Sequence, residues 1–244
     1  MAKGVYAALS GAVATQVAVD TTAQNLANAS TAGYQKLRPL FREALAQAGA
    51  PAGRPPGPSQ NHYAATTGTV IDLSPGVIRT TGRQLDVALP PETFLAVSTP
   101  RGERYTRAGD IQVSPDGRLR VANADLSSET GNPIVVDPRS DVSISADGQV
   151  FSGGEALARI KLVSFAEPSL LTPEGATTLA VSPGSGPPSP ASGELKTGHL
   201  EESNASPVIA MTDLMSATRM FEACQRAIET FREADRKIVT LPST

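Results

Sequence analysis

Apolar residues near the N-terminus recur at alternating intervals of four and three along the chain. The stripe is Val5, Leu9, Ala12, Gln16, Val19, Ala23 and Leu26. This heptad spacing, with one polar member, predicts a single helix from about residue 2 to 27 that packs on another helix. The turn-forming residues of 28–33 then end it. A short signal peptide cleaved after Ala12-Val13-Ala14 is the alternative, but the stripe crosses that site unbroken, so we expect no cleaved leader.

The C-terminal region shows the same spacing over a longer stretch. Its stripe is Ala210, Leu214, Ala217, Phe221, Cys224, Ile228, Phe231, Asp235 and Ile238. We predict a helix from about residue 206 to 239, with Ser206 or Asn204 as its cap and Pro207 in its first turn. Both stripes are rich in alanine, so a pair of these helices buries little area alone. Either they form a hairpin on their own domain, or neighbouring molecules stabilise them, and the pattern favours neither.

Between the helices the pattern changes to short β-type runs separated by turns. The candidate strands are 70–73, 85–89, 94–97, 111–113, 119–121, 134–136, 142–144 and 160–163. Close spacing without intervening helices predicts antiparallel hairpins. Proline and glycine dominate 48–58 and 181–193, which we expect to be a linker and a flexible or surface segment.

The predicted fold class is therefore α+β, with long terminal helices that pair as a coiled coil around an inserted antiparallel β-domain. The predicted boundaries are 1–33 for the N-terminal helix, 34–66 for an extended linker, 67–198 for the β-domain and 199–244 for the C-terminal helix.

Composition narrows the possible chemistry. The 244 residues carry a net charge of −3 and include one cysteine, two histidines and no tryptophan. We therefore expect no nucleic-acid partner, no intramolecular disulfide and no metal or other cofactor. No apolar run reaches the length of a membrane span, so we expect no membrane insertion. No nucleophilic residue is paired with a candidate base, so we expect neither enzymatic activity nor a small-molecule substrate. Cys224 lies on the helical stripe as a small apolar residue, and the Glu201-Glu202 doublet is expected in an exposed turn.

Four sequence motifs resemble those of one protein family. The segment 25–36, Asn-Leu-Ala-Asn-Ala-Ser-Thr-Ala-Gly-Tyr-Gln-Lys, is similar to the N-terminal signature of bacterial flagellar axial proteins. The segment 200–204, Leu-Glu-Glu-Ser-Asn, resembles their C-terminal motif, and 81–88 and 105–109 resemble two runs of rod and hook proteins. The Gly-Phe-Phe that commonly follows the first of these runs is replaced here by Pro90-Pro91-Glu92-Thr93-Phe94.

The resemblance implies a structural subunit of the flagellar basal-body rod, of the proximal type by its length. In this family the terminal helices pair and pack against those of neighbouring subunits, and the β-domain lies outside. The implied partners are copies of the chain, other axial proteins and the type III export apparatus, and the implied location is the rod in the periplasm. A distal rod or hook-type subunit is the alternative, followed by a secreted binding module with a helical stalk.

The resemblance also assigns roles to residues. The two helical stripes become assembly interfaces. Asn25, Asn28, Thr31, Gly33 and Tyr34 form the motif turn that directs the chain out of the inner tube, with Gly33 in a left-handed conformation. Leu200, Glu201, Ser203 and Asn204 form the C-terminal motif, in which Asn204 is either a contact residue or a helix cap.

Overall fold

A computed structural model describes residues 2–45 and 62–239, which form two compact units. The described part of the first unit comprises 2–26, 38–45, 62–69 and 208–239, and the second comprises 27–37 and 70–207. The whole proline- and glycine-rich segment 48–58 of the predicted linker lies outside the described residues. The domain boundaries at 33, 66 and 198 stay predictions.

Two long helices and eighteen short strands make up the described chain. The helices are α1, Ala2–Ala27, and α2, Pro207–Val239, and a single 3₁₀ turn covers Pro168–Leu170. In chain order, β1 to β9 are Leu37–Leu45, His62–Ile71, Ile78–Thr80, Val87–Ala88, Phe94–Thr99, Gly102–Thr106, Gln112–Val113, Leu119–Val121 and Ala124–Leu126. The remaining strands, β10 to β18, are Val142–Ile144, Gln149–Ser152, Glu155–Arg159, Leu162–Ser164, Thr172–Pro173, Thr178–Ala180, Ser189–Pro190, Lys196–Thr197 and His199–Glu201.

In the first unit α1 and α2 pack together through small side chains. A Cβ built on Gly11 would lie 3.4 Å from Cys224 Sγ. Ala14 and Thr21, on the same side of α1 as Gly11, are buried. The Thr21 hydroxyl donates to the Val17 carbonyl at 2.7 Å, so this polar residue satisfies itself within the helix. The same unit holds most of the ribbon formed by β1 and β2.

The second unit is built around a nine-stranded sheet with β5 at its centre. Its main path runs β14-β15-β6-β5-β9-β8-β7, and β13 pairs with both β5 and β16. Strand β5 pairs with β6 over five residues on one edge, and with β9 and β13 on the other. Separate small sheets are β10-β11-β12, β17-β4 and β18-β3.

Strand β5 lies between two hydrophobic cores, which explains its uninterrupted apolar run. Leu95 and Val97 belong to the larger core, whereas Phe94 and Ala96 belong to the smaller one. Alternate side chains of a strand point to opposite faces, so a strand with both faces covered needs apolar residues at every position. In the smaller core, the ring of Phe165 packs edge-on against Phe94 and Tyr105, with centroids 5.8 and 4.8 Å apart.

These elements confirm the α+β class, and every strand pair of known register is antiparallel. The prediction of a strand at 134–136 was wrong, because Val135 makes only a single bridge to Arg118. Residues 181–193 are largely exposed, as a surface segment would be. They are nevertheless held in place, because β16 pairs with β13 and the Ser185 hydroxyl is fully buried and donates to the Ser182 carbonyl at 2.9 Å.

The turn that leads into β5 contains a strained residue. Glu92 has φ of 57°, and the amide of Thr93 donates to the Pro90 carbonyl at 3.4 Å. A positive φ at the second central position, after a proline, is typical of a type II turn and favours glycine there.

Replacing Glu92 with glycine is therefore expected to stabilise the second unit by about 1 kcal/mol, because the left-handed conformation costs an L-residue about that much. For a unit of this size the unfolding midpoint should rise by about 2–4 °C in a thermal scan. Glu92→Ala is the control, since it removes the same exposed carboxylate and keeps the strain. An equal rise for both variants would show that the backbone conformation is not the cause.

Candidate assembly surfaces and the buried motif cluster

The N-terminal, central and C-terminal motifs meet inside the second unit. We call the side chains of Gln35, Arg107, Glu201 and Asn204 the buried cluster. Residues 33–36 follow α1, residue 107 follows β6, and residues 201–204 precede α2. Segments separated by up to 169 positions in the chain are thus hydrogen-bonded to each other.

The carboxylate of Glu201 lies at the centre of this cluster. Glu201 and Arg107 are 3% and 6% exposed. Arg107 donates to Glu201 Oε2 from Nε at 3.1 Å and also from Nη2. The other oxygen, Oε1, accepts from Gln35 Nε2 at 3.3 Å and from the backbone amide of Gly76 at 2.9 Å. Both oxygens of the buried carboxylate are therefore satisfied, as a buried charge requires.

Arg107 uses its remaining donor on the backbone before β5. Nη1 donates to the carbonyls of Thr93 at 2.9 Å and Pro90 at 3.3 Å. Its guanidinium also lies 5.9 Å from the centroid of the Phe94 ring. The planar fork of an arginine suits such a site, because it donates in several fixed directions at once.

Gly33 allows the N-terminal motif to approach this site closely. Its φ is +68°, and its amide donates to the Glu201 carbonyl at 2.8 Å. A Cβ at this position would lie 2.3 Å from the Ala108 amide nitrogen, a distance that real atoms do not tolerate. The left-handed conformation predicted for Gly33 is present, and close packing against the backbone is a second reason for glycine here.

Asn204 joins two further segments. Its Oδ1 accepts from the Lys36 amide at 2.7 Å, and its Nδ2 donates to Gln35 Oε1 at 3.0 Å and to the carbonyl of Asp72 at 2.8 Å. The side chain is thus occupied away from the amide groups that open α2. Two roles were left open for Asn204, helix cap and contact residue. None of these hydrogen bonds is a cap of α2, and the role as a contact residue stays a prediction.

An ion pair and a buried tyrosine complete the surroundings. Lys36 Nζ lies 3.1 Å from Asp72 Oδ2. Burial alone would raise the pKa of Asp72, but hydrogen bonds from Ser74 and the Lys36 ammonium outweigh it and lower the pKa to about 2. The ionised Asp72 carboxylate therefore stabilises the fold above pH 4, and this stabilisation is lost as the pH falls toward 2. Tyr34 is 1% exposed, and burial raises its pKa to about 12.

The remaining motif residues are buried or form hydrogen bonds with residues close to them in the chain. The Thr31 amide donates to the Asn28 carbonyl at 3.1 Å, and the Tyr34 amide to the Thr31 carbonyl at 3.3 Å, which closes the turn after α1. Leu200 is buried, and the Ser203 hydroxyl accepts from the Ala205 amide at 3.1 Å. Asn25 is partly buried on α1.

The two central motifs also pair with each other. The Val87 amide donates to the Gly109 carbonyl at 3.0 Å. A Cβ on Gly109 would lie 1.7 Å from the Val87 carbonyl oxygen, so only glycine permits this approach. Desolvation by burial, followed by the nearby charge of Asp86, raises the pKa of Asp110 just beyond this contact.

Sequence reasoning missed two members of the cluster and misplaced a third. Gln35 and Arg107 were part of recognised motifs but not of the predicted site. Glu201 was expected in an exposed turn with Glu202, yet only Glu202 is exposed, and it pairs with Arg79 at the surface. The available signal was an arginine within a strand-like run, next to residues that are otherwise apolar or small.

The predicted stripe of α2 contains its least exposed positions. Ala210 is buried, and the further members Leu214, Ala217, Phe221, Cys224, Ile228 and Phe231 are partly buried. The side chains of Asp235 and Ile238 lie outside the described residues.

The predicted stripe of α1 is placed differently. Ala12 is buried, and Val5, Val19 and Leu26 are partly buried. Leu9, Gln16 and Ala23 are exposed. The side of α1 nearest α2 instead carries glycine, alanine and threonine, whose small size a hydrophobicity pattern does not detect.

The described residues contain no cluster of three histidine, cysteine or acidic side chains that would hold a metal ion. Among the described helices, neither is long and apolar enough to cross a membrane.

Comparison with known proteins finds matches to the same N-terminal and C-terminal motif segments. Residues 5–35 match the family described as Flagella basal body rod protein, and residues 196–241 match Flagellar basal body rod FlgEFG protein C-terminal. The chain is 30% identical to the flagellar basal-body rod protein FlgF of Caulobacter vibrioides, over 98% of this chain and 97% of that protein. It is 33% identical to FlgF of Salmonella typhimurium, over 96% and 95%, and 28% identical to FlgG of Bacillus subtilis, over 99% of both.

The two family models match the helix-bearing ends of the chain. The chain belongs to the flagellar basal-body rod protein family, as its motifs predicted. It is accordingly a structural rod subunit of the flagellar basal body.

Replacing Glu201 with alanine is expected to destabilise the second unit strongly, because Arg107 would keep a buried charge without a counterion. Breaking such a pair costs about 3–5 kcal/mol, so the unfolding midpoint should fall by about 6–20 °C. Glu202→Ala is a matched control, since the neighbouring exposed pair contributes at most about 1 kcal/mol. Similar losses in the two variants, measured by thermal denaturation, would contradict the central role of Glu201.

Proposed function

We propose that the chain is a subunit of the proximal rod, and that it polymerises helically through its terminal helices and transmits torque by packing alone. The FlgF relatives, which align with the chain over nearly their whole length, support the proximal assignment. FlgG relatives align equally far at slightly lower identity, so a distal rod subunit is the second candidate.

One observation carries this proposal. Among the described residues, eight of the fifteen large apolar side chains that are exposed lie on α1 and α2. They are Tyr6, Leu9, Val13, Val208, Ile209, Met211, Met215 and Met220. Exposed apolar side chains concentrated on two helices are typical of a surface that another molecule covers.

The helical stripes allow two kinds of contact, one between the helices of a subunit and one between neighbouring subunits. We propose that the partly buried stripe of α2 pairs with α1 in a coiled coil, and that the exposed members of the α1 stripe, such as Leu9 and Ala23, contact neighbouring subunits. Such contacts join two different surfaces, so each added subunit offers a new site, and a helical rod results when the rotation between subunits does not close into a ring.

Export and location follow from the same proposal. The subunit would leave the cell through the flagellar type III apparatus and reach the rod in the periplasm. Its partners would be copies of itself and other axial proteins, with no role for nucleic acid, membrane insertion or a small-molecule substrate.

Deleting residues 2–26 is expected to abolish incorporation into basal bodies, because the exposed apolar residues of α1 are lost. The second unit should stay folded, since it begins at Ala27 and its buried cluster begins at Gln35. Incorporation is measured by mass spectrometry of basal bodies isolated from a strain that carries only the variant, and folding by near-UV circular dichroism. Normal rods built from the truncated chain would contradict the proposal.

In dilute solution the terminal helices are expected to be partly unfolded. Their alanine-rich stripes bury too little area to hold 26 and 33 residues in helices without neighbours. Far-UV circular dichroism should therefore show clearly less helix than these 59 residues in the monomer, and more after assembly. Full helicity in the dilute monomer would contradict this expectation.

A further inference from the structure

A polar pocket of about 320 Å³ lies at one edge of the nine-stranded sheet. Strand β7 is the last strand in the sheet order, and the pocket lies between it and the hairpin of β8 and β9. The polar residues that line it are Asp110, Gln112, Ser114, Arg120 and Asn123. We call this site the edge pocket. One water needs only about 15 Å³ of such space, so the edge pocket has room for a whole side chain.

The strand pattern explains why the edge pocket is polar. Asp110 and Gln112 flank Ile111, which is fully buried in the larger core. Alternate residues of an extended chain point to opposite sides, so Asp110 and Gln112 lie together on the side away from that core. Gln112 is paired with Arg120 in the neighbouring strand, and both are exposed.

The guanidinium of Arg120 is already paired. Its Nε lies 3.3 Å from Asp125 Oδ1, and its Nη2 donates to the Asn123 carbonyl at 2.6 Å. The other arginine close by, Arg83, is paired with Asp86, which forms a backbone bridge to Asp110. Neither arginine forms an ion pair with Asp110.

Asp110 differs from the other carboxylates of the second unit that lack an ion pair. It is only partly exposed, whereas the others are fully accessible to water. The others are Glu92, Glu129, Asp137, Asp141, Glu155, Glu167 and Glu194. Burial raises the pKa of Asp110, and the charge of Asp86 adds to this effect. The free subunit therefore holds one charge in an unfavourable place, which a cation from another molecule would relieve.

Two amide side chains in the edge pocket have spare hydrogen-bonding capacity. Those of Gln112 and Asn123 form no hydrogen bond with any other described residue. Their oxygens accept hydrogen bonds, as does the carboxylate of Asp110. Ammonium and guanidinium groups carry only donors, so a lysine or arginine side chain matches these three acceptors.

The second unit itself carries suitable cations. Arg139 and Lys196 are exposed and take part in no ion pair with the described residues. Every other lysine and arginine of this unit is paired with a carboxylate. One unpaired, partly buried carboxylate and two unpaired cations on the same unit are complementary surfaces for two copies.

We propose that the edge pocket of one copy receives the side chain of Arg139 or Lys196 from a neighbouring copy, whose cation pairs with Asp110. This inference rests on the proposed function, because copies joined in a rod also bring their second units close to one another. It names a contact that does not involve the terminal helices. The two surfaces differ, so the contact repeats from copy to copy.

The neutral variant Asp110→Asn separates a role in assembly from a role in the fold. The ionised carboxylate is disfavoured in the free subunit, so the variant should unfold at the same temperature or higher. Incorporation into basal bodies, measured by mass spectrometry in a strain that carries only the variant, should nevertheless fall about tenfold, as expected from the loss of one charge-assisted contact.

The matched control is Asp141→Asn, which neutralises an exposed and unpaired carboxylate of the same unit. It should incorporate normally. Normal incorporation of Asp110→Asn, equal losses in the two variants, or a lower unfolding temperature of Asp110→Asn would overturn the proposal.

Carbodiimide crosslinking identifies the partner of Asp110. In an Arg139→Lys background both candidate cations are amines, and the reagent condenses a carboxylate and an amine into an amide, taking up the water, when the two are in contact. Isolated basal bodies should yield a peptide pair that joins residue 110 to residue 139 or 196, and dilute monomer should yield none. No such pair, a pair with another protein instead, or equal amounts from dilute monomer would overturn the contact between copies.

The same measurements distinguish this inference from the proposed function. If the unaltered chain is present in basal bodies and Asp110→Asn incorporates normally, the inference fails and the function stands. If the unaltered chain is missing from basal bodies but concentrated purified protein yields the crosslinked pair, the proposed function fails and the contact between copies stands.

Discussion

The buried carboxylate of Glu201 fixes how distant parts of this chain meet. It is charged, almost fully enclosed and bonded by Arg107, Gln35 and the Gly76 amide. A charge in such a site is tolerated only when every partner is in place, so the cluster forms completely or not at all. Because the partners come from separate segments, the requirement also fixes the register between the chain after α1 and the chain before α2.

Such an ion pair contributes more to specificity than to stability. Apolar residues of similar volume often hold a core equally well, whereas a lone buried charge is strongly unfavourable. In this protein the cluster hydrogen-bonds the segment after α1, the segment after β6 and the segment before α2 to one another. The resemblance to the family thus rests on residues that contact each other inside the fold.

The helices were predictable because their signal is periodic and local. The expected spans of 2–27 and 206–239 agree with Ala2–Ala27 and Pro207–Val239. The side of α1 that approaches α2 was not predictable from a hydrophobicity pattern. Gly11 fits there because it is small, and Thr21 fits there because its hydroxyl is hydrogen-bonded within the helix. Strands with two or more buried apolar residues, such as β5 and β8, were found, whereas β6 and β12, which contain one such residue and none, were missed. The motifs named Glu201 and Asn204, but their burial was not predicted, because the local pattern does not distinguish Glu201 from Glu202.

The long separation between the members of the cluster has a consequence for the order in which the protein folds. Gln35 and Glu201 are 166 positions apart, so their contact closes a loop of most of the chain. A polypeptide that emerges N-terminus first cannot complete this contact until more than four fifths of its residues are out. The β-rich unit therefore folds late in synthesis, and its high contact order makes that step slow.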